Sequence, residues 1–118
     1  MIKFENPQGV VSISQEVISK IVGYTVTNCF GVVGMSSRSH ADGFVTMFRK
    51  NNISHGVRIG VEEGALLIDV HIVVRYGINI NAITQSIIGK VKYNLQSMLS
   101  VKIKNVTVFV DNIAKEEA

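Results

Sequence analysis

The sequence predicts an α+β fold: one two-layer domain in which a mixed β-sheet carries helices packed on one face. Three observations carry that prediction. An apolar strand, Leu66 to Val74, leads through Arg75-Tyr76-Gly77 into a long helical pattern and then a lysine-studded strand, the succession of a βαβ unit. A second passage from strand to helix begins at Val10. Between them, two apolar runs flank Glu62-Glu63-Gly64, which has the length and composition of a hairpin connection.

The chain has 118 residues, 47% of them hydrophobic, which fills one core without disulfides or a structural metal. No repeat or linker divides it, so residues 1–118 read as a single domain with 114–118 a frayed tail. The lone Cys29 has no internal partner, and the start Met1-Ile2-Lys3-Phe4-Glu5-Asn6-Pro7 lacks the pattern of a signal peptide. Both point to a cytoplasmic location. His71, Arg75 and Asn79 interrupt the most hydrophobic region, so no membrane span is expected.

The net charge of +3 neither demands nucleic acid nor excludes a weakly bound anionic partner. Its distribution says more. From Val70 to Val110 there is no Asp or Glu, while Arg75, Lys90, Lys92, Lys102 and Lys104 all fall in that interval.

Taken in order, Val10 to Ile13 reads as a strand. Ser14 then caps a helix with Glu16 in its first turn, and Ile13 and Ile18 form a hydrophobic staple. Val17, Ile18, Ile21, Val22, Thr25, Val26 and Cys29 fall on one arc, with Glu16, Ser19, Lys20, Gly23 and Thr27 on the other. So many β-branched residues give poor helix propensity, and burial has to stabilise the helix, with strand as the competing assignment. Gly31-Val32-Val33-Gly34-Met35 reads as a helix stop and a short strand, followed by an exposed loop over 36–39. A short helix is expected next. Ser39 and Asp42 have the spacing of a capping pair, Ala41, Phe44, Val45 and Phe48 form its apolar face, and Arg49 and Lys50 suit its end before the loop at Asn51-Asn52.

Gly56 to Val61 and Ala65 to Val74 are expected to pair antiparallel. Leu66, Ile68, Val70, Ile72 and Val74 form the core face of the second strand, and Ala65, Leu67, Asp69, His71 and Val73 a partly wet one. Asn79 or Asn81 caps the long helix, which buries Ile83, Thr84, Ile87, Ile88, Val91, Leu95, Met98 and Leu99. Gln85, Ser86, Gly89, Tyr93 and Gln96 form its outer face, with Lys90 and Lys92 at the borders. The last strand alternates Val101 and Ile103 inward with Lys102 and Lys104 outward. It resumes as Val106, Val108 and Val110, so a bulge is expected at Asn105.

Chemistry-bearing patterns are few. Gly31-Val32-Val33-Gly34 fits the GxxG of a KH RNA-binding loop but carries no cation, and reads as a strand start. Asp69 and His71 share a strand face, yet a third ligand would have to come from His40 or His55 in loops. Ser36, Ser37 and Ser39 lie beside Arg38 and His40 with no orienting acid evident, and Cys29 reads as a small core hydrophobe. No catalytic residues, cofactor or metal are assigned, and the chain is read as non-enzymatic.

The ordered set of Gly9-Val10-Val11-Ser12-Ile13-Ser14-Gln15-Glu16-Val17-Ile18, then Gly31 to Met35, then Leu67 through Ile80, then Val101 to Ile113 resembles the bacterial alkaline shock protein family, also called envelope stress response proteins. That family's pattern usually has a glycine near Ser100, after the methionine of the long helix, and this chain has none there. The resemblance implies a cytoplasmic, non-enzymatic protein linked to cell-envelope stress. Some relatives are held beneath the membrane by a membrane-anchored partner.

Carried onto this chain, the expectation is a protein-interaction module with self-association as a further property. Its surface is either the uncharged helix face at Gln85, Gly89, Tyr93 and Gln96 or the basic residues Arg75, Lys90, Lys92, Lys102 and Lys104. Five cations near anionic lipid contribute about 1 kcal/mol each only if they share a face. The alternative is a small RNA-binding domain using the same lysines, which would weaken steeply as salt rises.

Overall fold

The computed structural model describes residues 1–38, 45–48 and 54–115. The first strand, β1 (Ile2–Asn6), pairs antiparallel with β2 (Gly9–Ile13) as a separate two-stranded sheet. Sequence reading missed β1, because its alternation spans only Ile2-Lys3-Phe4-Glu5. Its turn is held by the Gln8 amide donating to Asn6 Oδ1 at 2.9 Å. Ile2 enters the main core and Phe4 packs on it, which tethers the hairpin to the domain.

Helix α1 (Gln15–Thr27) starts as expected, with Ser14 Oγ accepting from the Val17 amide at 3.1 Å. Its buried arc is rotated from the expected one. Val17 is exposed, whereas Ser19 and Gly23, placed outward from sequence, are buried. The reason is that α1 is covered on two sides, by strands and by a second helix, so its dry arc is wide.

Strand β3 (Val32–Arg38) continues through the segment expected as an exposed loop, and Ser36 is fully buried. A polar residue is tolerated there because its hydroxyl has a carboxylate partner, described below. β4 (Val45–Phe48) pairs antiparallel with β3 where the short helix was expected. β-branched and aromatic residues beside an available strand edge favour the ladder over a two-turn helix. Ser39, His40, Ala41, Asp42, Phe44, Arg49, Lys50 and Asn51-Asn52 lie outside the described residues.

β5 (Val57–Glu62) and β6 (Ala65–Arg75) form the expected antiparallel hairpin. Glu62 pairs with Ala65, leaving Glu63 and Gly64 at φ 53° and 79°, the backbone of a type I′ turn. Leu66, Ile68, Val70, Ile72 and Val74 are all buried, as their alternation requires. Helix α2 (Ile80–Leu99) is capped by Asn79, whose Oδ1 accepts from the Ala82 amide at 3.0 Å. Ile83, Ile87, Val91 and Leu95 are its buried stripe, and Met98, expected inside, is exposed.

At the end of α2, Ser100 takes up the left-handed conformation at φ 56°, ψ 36°, with its amide donating to the Gln96 carbonyl. Glycine fits that backbone without strain and serine does not. Ser100→Gly is therefore expected to raise stability by about 0.5–1 kcal/mol, read as a higher midpoint in thermal or urea melts.

The final strand, β7 (Ile103–Ala114), runs parallel to β6, completing a mixed five-stranded sheet. Leu66 registers with Ile103 and Leu67 with Asn105, so the expected bulge is present, with Lys104 the extra residue. A second irregularity, between the Ile72–Val110 and Val73–Asn112 pairs, makes Asp111 extra. The strand outlasts the expected end at Val110, and Ala114, assigned to the tail, accepts from the Tyr76 amide at 3.0 Å.

Both helices lie on the face of the sheet carrying the β6 stripe. Ile18, Val22, Val26, Ile83, Ile87, Val91 and Leu95 meet Leu66, Ile68, Val70, Ile72 and Val74 in one hydrophobic cluster.

Candidate partner-docking site

Two helices laid side by side on a sheet leave a furrow between their outer flanks. Here it is an open groove of about 330 Å³ lined by Ile21, Tyr24, Thr25, Asn28, Lys90, Asn94 and Met98. Its floor is fixed across the helix pair: Asn94 Nδ2 donates to Thr25 Oγ1 at 2.9 Å, and that hydroxyl donates to the Ile21 carbonyl at 2.8 Å. Asn28 Nδ2 is similarly held, donating to the Tyr24 carbonyl at 2.7 Å. The rim is apolar and wet, with Tyr24 61% and Met98 64% exposed. Among the described residues Lys90 is the single charged one in the lining, and α2 carries no acidic residue.

The face expected from sequence adjoins this groove. Gln85, Gly89, Tyr93 and Gln96 are all exposed, Tyr93 at 70%. Sequence reading missed Tyr24, Asn28, Asn94 and Met98 as lining residues, because the helical period gives each helix's own dry arc but not the seam where two arcs meet.

The five cations are not brought together. Lys102 and Lys104 lie near the Leu66 end of β6, where Lys104 pairs with Glu62, whereas Arg75 is at the other end, ~30 Å away at about 3.3 Å per residue. Arg75 also stacks over the Phe30 ring at 5.6 Å. Lys90 and Lys92, two residues apart on one helix, point to different flanks.

Cys29 is buried, its Sγ against the Thr25 carbonyl at 3.3 Å. Burial pushes its thiol up from the ordinary value, with the nearby Lys90 charge pulling the other way, so it sits there as a protonated core group.

A second polar feature lies on the sheet face opposite the helices. Asp111 faces His71 Nδ1 at 3.0 and 3.2 Å and accepts from Ser36 Oγ at 2.9 Å. Phe109 stacks on the His71 ring at 4.5 Å. His71 thus finds its acid in Asp111, not in Asp69, which registers with Arg58 on β5. The order of groups is wrong for nucleophilic catalysis: the carboxylate sits between hydroxyl and imidazole, so the imidazole cannot take the serine proton. Gly31 and Gly34, the GxxG candidates, are buried at the start of β3 and form no exposed phosphate-gripping loop. Among the described residues no group of three or more His, Cys, Asp or Glu could hold a metal ion.

The chain is similar to Spy1614 of Streptococcus pyogenes, 36% identical over 95% of this chain and 93% of that one. It is also similar to YloU of Bacillus subtilis, 32% identical over 95% and 94% of the two chains. A third relative, YqhY of Bacillus subtilis, is 30% identical over 89% of this chain and 77% of its own. Their names state no activity, and no solved structure matches the chain. The profile of the alkaline shock protein 23 family matches residues 3–115, nearly the whole of the fold just described, and the chain belongs to that family, whose function is cell envelope-related.

Proposed function

We propose that this protein is a non-enzymatic interaction module of the cell envelope. It docks a protein segment into the groove between α1 and α2 and across the adjoining Tyr93 face. The observation that carries this reading is the groove itself: a pre-formed furrow with exposed aromatic and thioether rims and one cation, Lys90. Exposed Tyr supplies a large rigid docking area and Met an adaptable apolar one, and shallow apolar grooves of this kind take amphipathic segments. The lone cation and the acid-free helix select a segment bearing a carboxylate.

No helix among the described residues is long and apolar enough to cross a membrane. In this reading the occupant belongs to a membrane-anchored protein, which would hold the module at the inner face of the cell membrane.

Tyr93→Glu combined with Gln96→Glu is expected to abolish capture of the partner from detergent-solubilised membranes while leaving the melting temperature unchanged, since both side chains are exposed. Unchanged capture would remove this face from the site. Salt-sensitive capture of RNA in its place would establish the rival reading.

A further inference from the structure

β7 is the longest strand of the fold, and among the described residues only one of its edges is paired, the one facing β6. Its two irregularities, at Lys104 and Asp111, bracket a regular stretch in which Asn105 to Val110 register without interruption against Leu67 to Ile72. That stretch reads Asn-Val-Thr-Val-Phe-Val: no charge, no glycine, no proline, and five of six residues β-branched or aromatic. Natural edges are blunted with bulges and lysines, and here both devices stand at the ends of the stretch, leaving the middle open.

The helix layer above this edge is also incompletely covered. α2 packs on β7, and Ile88 and Leu99, on the flank of α2 opposite Lys90, are only half-buried, like Val108 and Val110 beneath them. Phe109, on the other sheet face, is 40% exposed.

From this we infer that the outer edge of β7 pairs antiparallel with the β7 of a second copy of this chain, about a twofold axis through Thr107. The two sheets join into one across the axis. Self-pairing suits this edge because an isologous contact sets the same patch on itself, and the patch has no charge to repel its copy. The antiparallel sense follows from the flanks. A parallel copy would set Lys102 and Lys104 against the same two lysines, whereas the antiparallel copy sets them against the end carrying Asn112 and Ile113. Across the axis Thr107 faces its own copy and Val106 faces Val108, β-branched cross-strand pairs that stabilise a sheet. Ile88 and Leu99 gain cover from the second helix layer.

The test is sedimentation of the full chain over the micromolar range, with a cysteine cross-link as the second arm. Wild type is expected to convert from a 12.9 kDa monomer to a dimer as concentration rises. Asn105→Lys with Thr107→Lys, which places like charges at the axis, is expected to weaken dimerisation at least tenfold, with an unchanged melting temperature at concentrations where wild type is monomeric. Thr107→Cys should give a covalent dimer on mild oxidation and Glu63→Cys should not; the native thiol, Cys29, is buried and adds no background. The Tyr93 and Gln96 variants should dimerise like wild type, which separates this edge from the docking groove. A wild type that stays monomeric throughout, or cross-links equally from positions 63 and 107, would overturn the proposal.

Discussion

Gly56→Ala is expected to lower stability by about 3 kcal/mol or more, a large fraction of the total stability of a domain this size. Two effects add. Gly56 has φ +81°, a conformation that costs any residue with a Cβ about 1–2 kcal/mol. The new Cβ would also lie 2.2 Å from the Ser36 carbonyl oxygen and 3.0 Å from that of His71. Both obstacles are backbone, held in place by β3, by β6 and by the His71 amide bonding to the Gly56 carbonyl at 2.8 Å, so neither can step aside. Gly31→Ala is the informative contrast. Its Cβ would meet Ile83 Cδ1 at 2.4 Å and Ile78 Cδ1 at 2.7 Å, both the far ends of side chains that can rotate away. Urea melts should therefore rank Gly56→Ala well below Gly31→Ala. Equal loss would mean that strand crossing is less rigid than the sheet geometry requires.

Asp111→Ala is expected to cost about 3 kcal/mol, although it removes an acidic residue from a strand with no acidic neighbours. The carboxylate is 5% exposed and serves two donors, so its loss leaves the fully buried Ser36 hydroxyl and His71 Nδ1 facing a void. The cost is mainly that of the abandoned partners. Ser36→Ala, which removes one donor and leaves the carboxylate its imidazole, should cost only about 1 kcal/mol. In the double variant the two losses should fall short of their sum, because the pair shares one hydrogen bond. Additive losses would show that the cluster contributes nothing as a unit.

How much of this was legible in the sequence depended on whether a feature was local. The β6 stripe, the Ser14 and Asn79 caps, the Glu63-Gly64 turn and the bulge at Lys104 and Asn105 all write themselves in spacing and residue type. β4 did not, since Val45-Thr46-Met47-Phe48 becomes a strand only because β3 offers it an edge. Nor did the polar cluster. Ser36 and His71 are separated from Asp111 by 75 and 40 residues, and the one trace of their meeting is an acid that interrupts the Val106, Val108, Val110 alternation as it ends. Ser100 lies between the two cases: the family resemblance marks that position as one for glycine, and the left-handed backbone supplies the reason.

The proposed docking face was half legible on the same grounds. An uncharged outer arc on α2 follows from period alone, which gave Gln85, Gly89, Tyr93 and Gln96. The groove needs α1 beside it, and the buried arc of α1 is turned some tens of degrees from the one its period suggests, so that Val17 at one border is exposed while Ser19 and Gly23 at the other are buried. The basic residues carried the opposite lesson: five cations in one acid-free interval of the sequence are spread over both ends of the sheet and two flanks of α2.

The most direct test of the central claim, that the α1–α2 groove and the Tyr93 face receive a protein segment, is photo-cross-linking in living cells from a benzophenone side chain placed at position 93. A discrete protein adduct is expected from position 93 and not from position 63, and Lys90→Glu should eliminate it by reversing the one charge in the groove. No adduct at 93, or the same adduct from both positions regardless of the charge at 90, would contradict it.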